Sequence, residues 1–239
     1  MTAPFRPRDH AWHPPARAPS YRSSLARAPS HPLVAVPQGL SELTGPVFGA
    51  DAIGPLDGDL LRNFAGADAP VGERILLHGR VLDEDARPVP HVLVEIWQAN
   101  AGGRYRHKTD GYLAPLDPNF GGCGRCLTDA EGQFRFRTVR PGPYPFQNHE
   151  PAWRPAHVHF SVFGSGLAQR LITQMYFEGD PLIAKCPIVA TIPDARAVER
   201  LIARLDMENA VDFEMLAYRF DIVLRGRTQT HFENRREGA

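Results

Sequence analysis

A chain of 239 residues with 43% hydrophobic content can bury one sizeable core and still leave an extended arm. Its 27 Lys and Arg balance its 27 Asp and Glu, and this zero net charge argues against nucleic acid or an anionic membrane as partner. No apolar run reaches transmembrane length and the first residues lack the apolar core of a signal peptide, so a cytoplasmic protein is expected.

Residues 1 to about 40 hold eight of the 23 prolines, mixed with arginine and serine, and read as an extended arm. Trp12, Tyr21 and the apolar run 33–36 give that arm a means of docking. Arm and linker are expected over 1–70, ahead of a β domain over 71–239. Strands are expected at Ile75–Leu82, His91–Gln98, Gln133–Thr138, Ala156–Phe163, Leu171–Phe177 and Tyr218–Leu224. Asp194 is expected to cap a helix whose apolar stripe is Ala195, Val198, Leu201, Ile202 and Leu205. Many short strands joined by Gly/Pro turns predict a mainly β sandwich or barrel, with one or two short helices.

Two long loops, about 99–127 and 140–155, interrupt the β pattern. Loops of that length in a compact domain usually carry function. Tyr105 lies in the first and Tyr144 in the second. Cys123 and Cys126 match C-x-x-C. Three cysteines are too few for a Cys₄ zinc site, and the glycines around the pair do not suit a thioredoxin-like motif. They read as two thiols in a loop.

The strand from Ala156 to Phe163 alternates. Val158, Phe160 and Val162 can face a core while His157 and His159 project together on the other side. Two imidazoles on one face can start a transition-metal site, or can simply face solvent. No carboxylate follows a few residues on, as a cupin-like or 2-His-1-carboxylate site would want. A ferric site with tyrosinate ligands is the third reading. On spacing alone these stay open.

Four stretches extend the pattern: 97–107 around Tyr105, Pro141–Pro145 around Tyr144, Trp153–Phe160, and Ile172–Pro181. Together with 216–226 and 231–234, they resemble the intradiol ring-cleaving dioxygenases, in particular the iron-bearing subunit of that family. The likeness spans nearly the whole chain.

The resemblance implies a prealbumin-like β-sandwich and one non-haem Fe(III) per chain, held by Tyr105, Tyr144, His157 and His159. It implies that Tyr144 leaves the metal when substrate binds while Tyr105 stays. Arg154, Gln174 and Tyr144 are implied as catalytic, and Tyr21, Trp97, Phe146 and Ile188 as substrate-binding. Phe146 is a departure, since the family expectation there is tryptophan. The implied reaction is O₂-dependent cleavage of protocatechuate (3,4-dihydroxybenzoate) to 3-carboxy-cis,cis-muconate, in the β-ketoadipate route of aromatic catabolism. Catechol or hydroxyquinol are the substrate alternatives. Relatives acting on those typically carry a helical N-terminal dimerisation segment, and this chain has a Pro-rich arm instead. A related α chain lacking the iron ligands is the implied partner, in a hetero-oligomer. A non-catalytic prealbumin-like binding module is the rival class. Its turns would explain Tyr144 but give no reason for Tyr105, His157 and His159 together.

Overall fold

A computed structural model describes residues 53–64, 66, 68–146, 152–163 and 170–231, together with two short strands, β1 (Phe5–Arg6) and β2 (Leu33–Val34), that pair with each other. The rest is built on β3 (Arg74–Leu82), β4 (Leu93–Gln98), β5 (Cys123–Leu127), β6 (Gln133–Val139), β9 (His157–Phe163), β10 (Arg170–Phe177), β11 (Ile202–Leu205), β12 (Leu216–Arg219) and β13 (Ile222–Val223). The sheet runs β13-β3-β12-β11-β10-β9-β4-β5, and β6 pairs with β3. One layer is β5-β4-β9-β10 and the other is β6-β3-β12-β11. The two meet where β10 and β11 pair in parallel, Tyr176 opposite Ile202 and Phe177 opposite Ala203. The sheet therefore folds over on itself into a sandwich close to a barrel.

Period-two alternation drives the packing. Ile75, Leu77 and Val81 of β3 and Phe134 and Phe136 of β6 are buried in one core with Val94, Ile96, Val158, Phe160 and Val162 of the other layer. The strand expected to carry two histidines does turn its Val-Phe-Val face inward. A smaller core lies beside the main one, built from Tyr176, Cys186, Val189 and Leu201.

The seam between β5 and β6 is closed by residues before the first long strand. Asp57 O accepts from Arg125 N at 3.0 Å, and Leu60 N donates to Arg137 O at 2.8 Å. The Asp57 and Asp59 carboxylates pair with Arg125 (2.7 Å) and Arg137 (3.2 Å). The Leu60 side chain enters the main core and is fully buried. Covering two strand edges in this way protects them from pairing elsewhere.

Several expected elements change. The helix is only Ala195–Glu199, capped by Asp194, whose Oδ1 accepts from Arg196 N at 2.9 Å. Ile202–Leu205, expected in that helix, is strand β11, because it fills the gap between β10 and β12 and buries Ala203 completely. The end of the first long loop is β5, paired with β4 from Leu93↔Leu127 to Trp97↔Cys123. Positive φ at His91 (55°) delays the start of β4 to Leu93. The expected strand over 218–224 is broken at Phe220–Asp221 into β12 and β13.

Candidate metal centre

The site lies where β4 and β6 run out and the two long loops begin. Gln98, the last residue of β4, is buried and ties these roots together. Its Nε2 donates to Val139 O at 2.8 Å, and its Oε1 accepts from Thr138 Oγ1 at 3.0 Å.

The first loop is organised by Asn100. Its Oδ1 accepts from Gly102 N and Arg104 N, both at 3.0 Å, and its Nδ2 donates to Pro115 O at 2.9 Å. Asp110 Oδ2 then accepts from Tyr105 N at 2.8 Å, which fixes the tyrosine's backbone. The second loop contains a two-residue hairpin, β7 (Tyr144–Pro145) against β8 (Trp153–Arg154), that sets Tyr144 opposite Arg154. The two loops cross backbone on backbone. A Cβ on Gly103, whose φ is +83°, would stand 2.3 Å from Pro143 O, and one on Gly142 would stand 2.3 Å from Ala101 O. Only glycine fits such an approach.

The loops deliver both phenols to the histidine face of β9. Tyr105 Oη lies 3.2 Å and Tyr144 Oη 3.3 Å from His157 Nε2. His157 Nδ1 lies 2.7 Å from Pro155 O, which can only accept, so Nδ1 carries the proton and Nε2 presents its lone pair. Two hydroxyls thus face one lone pair. The His157 and His159 rings are 5.0 Å apart, and Trp97 stacks on His159 at 4.8 Å with 4° between the planes. His159 Nδ1 is buried with no hydrogen-bond partner among the described residues.

Register explains which other side chains share this face. Trp97 and Gln174 both stand opposite His159, and Tyr176 opposite His157. Arg154 is 3% exposed and donates from Nη2 to Gln174 Oε1. Its guanidinium carbon lies 5.5 Å from the centre of the Phe146 ring. Ile188 packs on the smaller core, at the head of a 3₁₀ turn over Val189–Thr191. Tyr21 lies outside the described residues.

Burial holds both imidazoles neutral. Desolvation, then the Arg154 charge, then His159 keep His157 well below its usual range. Desolvation and Arg154 bring His159 down to about 3. Burial and the Tyr144 phenol push Tyr105 well above the ordinary tyrosine value, against the pull of Arg154. Burial alone would lower the Arg154 value, but Tyr176, Tyr144, Cys186 and Tyr105 outweigh it and hold it raised. Neutral imidazoles are the ligating form, and hard phenol oxygens suit a ferric ion, whose charge would favour the phenolates. No three His, Cys, Asp or Glu side chains among the described residues gather as a metal site. The donor set therefore fits a ferric ion and does not fit a carboxylate triad.

Comparison with known proteins places the chain in a family. The family model described as "Dioxygenase" matches residues 43–226, and that described as "Protocatechuate 3,4-dioxygenase beta subunit N terminal" matches residues 6–39. The protocatechuate 3,4-dioxygenase beta chain of Burkholderia cepacia is 53% identical over 227 residues, 95% of this chain and 96% of that one.

The chain belongs to the intradiol ring-cleavage dioxygenase family.

The alpha chain of protocatechuate 3,4-dioxygenase from Pseudomonas putida is a second relative, 32% identical over 84% of this chain and 98% of that one. Among solved structures, 3-chlorocatechol 1,2-dioxygenase from Rhodococcus opacus 1CP superposes with a TM-score of 0.54 at 26% identity, covering 75% of this chain and 70% of that one. Intradiol dioxygenases are, as a family, non-haem iron enzymes. None of the described helices of this member is long and apolar enough to cross a membrane.

Sequence reading missed Asn100, Asp110, Gly103, Gly142 and Tyr176. For Tyr176 a signal existed: it stands two residues from Gln174 on a strand, hence on the same face. The others matter only through the crossing of two loops far apart in sequence.

Proposed function

We propose that the chain is the iron-bearing β subunit of a protocatechuate 3,4-dioxygenase. The reaction cleaves the ring of 3,4-dihydroxybenzoate between its two hydroxylated carbons with O₂, placing one oxygen atom on each side, to give 3-carboxy-cis,cis-muconate. The observation that carries this reading is the pair of phenols brought to one imidazole nitrogen in a chain 53% identical along nearly its whole length to such a β chain. The partner is a related α chain in a hetero-oligomer. Residues 1–70 serve as arm and linker, pinned at Leu60, and 71–239 as the catalytic domain.

Tyr105, Tyr144, His157 and His159 would hold one Fe(III). Bound there, the ion would supply Lewis-acid chemistry that makes the electron-rich ring of a catechol substrate reactive toward O₂. The chain's own residues do the rest. A catechol must shed two protons on binding; the Tyr144 phenolate would accept one of them and hydroxide from the solvent the other, leaving as water. Tyr105 stays, and the Asp110–Asn100 framework behind it holds it in place. The Arg154 guanidinium stabilises negative charge that develops on the ring and its oxygens. Gln174 orients that guanidinium, and Trp97, Phe146, Ile188 and Tyr21 shape the pocket. Phe146 lacks the indole N–H of a tryptophan, and here it offers Arg154 a flat face instead.

The test is the visible spectrum of the chain purified with its α-type partner, before and after protocatechuate. A broad tyrosinate-to-iron band that changes on adding substrate is expected. A colourless protein, still without iron after anaerobic Fe(II) loading and reoxidation, would sink this reading.

A further inference from the structure

The histidine face carries a buried phenol, that of Tyr176, that no step above employs. Tyr176 is 1% exposed, stands opposite His157 across β9 and β10, and its ring centre is 6.2 Å from the His157 ring. Its ring is wedged in the smaller core with Cys186, Val189 and Leu201, against which Ile188 also leans. From that wedge the hydroxyl reaches out to two groups. It donates to Gln174 Oε1 at 3.2 Å, and Arg154 Nη2 approaches its oxygen at 3.5 Å. Arg154 Nη2 also donates to the same Gln174 Oε1. The three groups close a polar ring around one guanidinium nitrogen.

Each contact restrains a different motion of Arg154. The Phe146 face, 5.5 Å away, fixes the plane of the guanidinium but not its rotation within that plane. Two acceptors at Nη2 fix the rotation. Gln174 Oε1 is one of these acceptors and the Tyr176 oxygen the other. The Tyr176 hydroxyl sits on a rigid ring held by core packing, so it fixes Arg154 directly and Gln174 through the shared oxygen. Once rotation is set, so is the direction of Arg154 Nε, which is buried without a hydrogen-bond partner among the described residues.

We propose that Tyr176 is a positioning residue: its hydroxyl, anchored in the smaller core, locks the Arg154 guanidinium in the orientation that faces the reacting ring. The proposal rests on the dioxygenase reading above. It also couples the pocket wall at Ile188 to Arg154, since both depend on the same cluster.

Tyr176→Phe in the iron-loaded complex with the α-type partner tests it. The hydroxyl is not a ligand, so iron content and the resting visible band stay as in the wild type. Turnover number falls about tenfold to a hundredfold while KM moves by less than about threefold, the mark of a displaced charge-stabilising group. In an Arg154→Lys background, which has no planar fork to orient, Tyr176→Phe changes turnover by less than about twofold. A hydroxyl that only satisfies a buried site would cost the same factor in both backgrounds. The crystal structure of Tyr176→Phe shows the guanidinium displaced or split between two positions. Three results would each overturn the proposal: wild-type turnover, equal losses in the two backgrounds, or an Arg154 unmoved in the crystal. If the wild-type complex neither holds iron nor cleaves a catechol, the dioxygenase reading has failed. The position of Arg154 in the variant crystal then decides alone whether Tyr176 fixes it.

Discussion

Tyr105 and Tyr144 reach the same imidazole nitrogen from supports of different stiffness. Tyr105 has its backbone N–H bonded to Asp110 and a preceding turn built by Asn100. Tyr144 rides a two-residue strand. On the proposed reading, Tyr105 is the permanent ligand and Tyr144 the departing one. Tyr144→Phe should therefore keep its iron and slow substrate chelation by about tenfold to a thousandfold, because one internal base is gone. Stopped-flow absorbance after mixing with protocatechuate measures this, and an unchanged chelation rate would contradict the role of Tyr144 as a base. The histidines carry a second prediction, for the protein stripped of metal. Both have folded pKa values below the unfolded 6.5, that of His159 at about 3. Their contribution to stability is thus whole above pH 6.5 and is lost as pH falls toward the folded values. Metal-free His159→Gln should show a flatter fall of urea midpoint between pH 7 and 4 than the metal-free parent. Parallel curves would mean that His159 takes up its proton without penalty.

At the scale of elements, what the sequence revealed followed local rules, and what it hid followed long-range ones. The β9 histidines were legible because alternation is written into six consecutive residues around them. Both tyrosines were legible as loop residues, yet their meeting was not. It depends on Gly103 and Gly142 letting two backbones touch, and on Gln98 tying loop roots some forty residues apart. Ile202–Leu205 reads equally well as the end of a helical stripe. It becomes a strand because β10 and β12 leave a place for one, which tertiary pairing imposes over local preference. β5 hid behind its glycine, and its recovery disposes of the C-x-x-C motif. Cys123 and Cys126 lie three residues apart on one strand, so they point to opposite faces with Cα atoms about 10 Å apart, too far for a disulfide. Burial also pushes the Cys126 thiol up to about 12, far from a reactive thiolate. The loop crossing gives this scale its prediction. Gly103→Ala places a methyl 2.3 Å from Pro143 O at a φ of +83°. The loops must separate, at a cost of roughly 1–3 kcal/mol. Iron content should fall sharply while the far-ultraviolet spectrum keeps its β signature. Full iron occupancy in Gly103→Ala would show that the crossing can relax without moving the tyrosines.

Over the whole molecule, the question is what closes the sandwich at its open seam. β5 and β6 are edge strands, and neither pairs with the other as a ladder. Residues 57–60 lie between them and bond to both, at Arg125 and Arg137. Gly124 leaves the space into which Leu60 fits, since a Cβ there would stand 2.4 Å from Leu60 Cδ1. The site is far from this seam in chemistry but not in mechanics. β5 pairs with β4, whose end carries Trp97 against His159 and Gln98 at the loop roots. A looser seam would loosen the strand that positions them. Leu60→Ala should accordingly cost about 2–5 kcal/mol, the usual range for a fully buried leucine. Urea unfolding at fixed protomer concentration measures the loss, with the α-type partner held constant because association adds its own stability. Leu56, 39% exposed a turn earlier, is the control, and its alanine variant should change stability by less than about 1 kcal/mol. If the two variants behave alike, residues 57–60 merely lie on the seam. If only Leu60→Ala unfolds early, and its iron is released at the same urea concentration at which β structure is lost, then the chain ahead of β3 is what holds the sandwich shut around its metal centre.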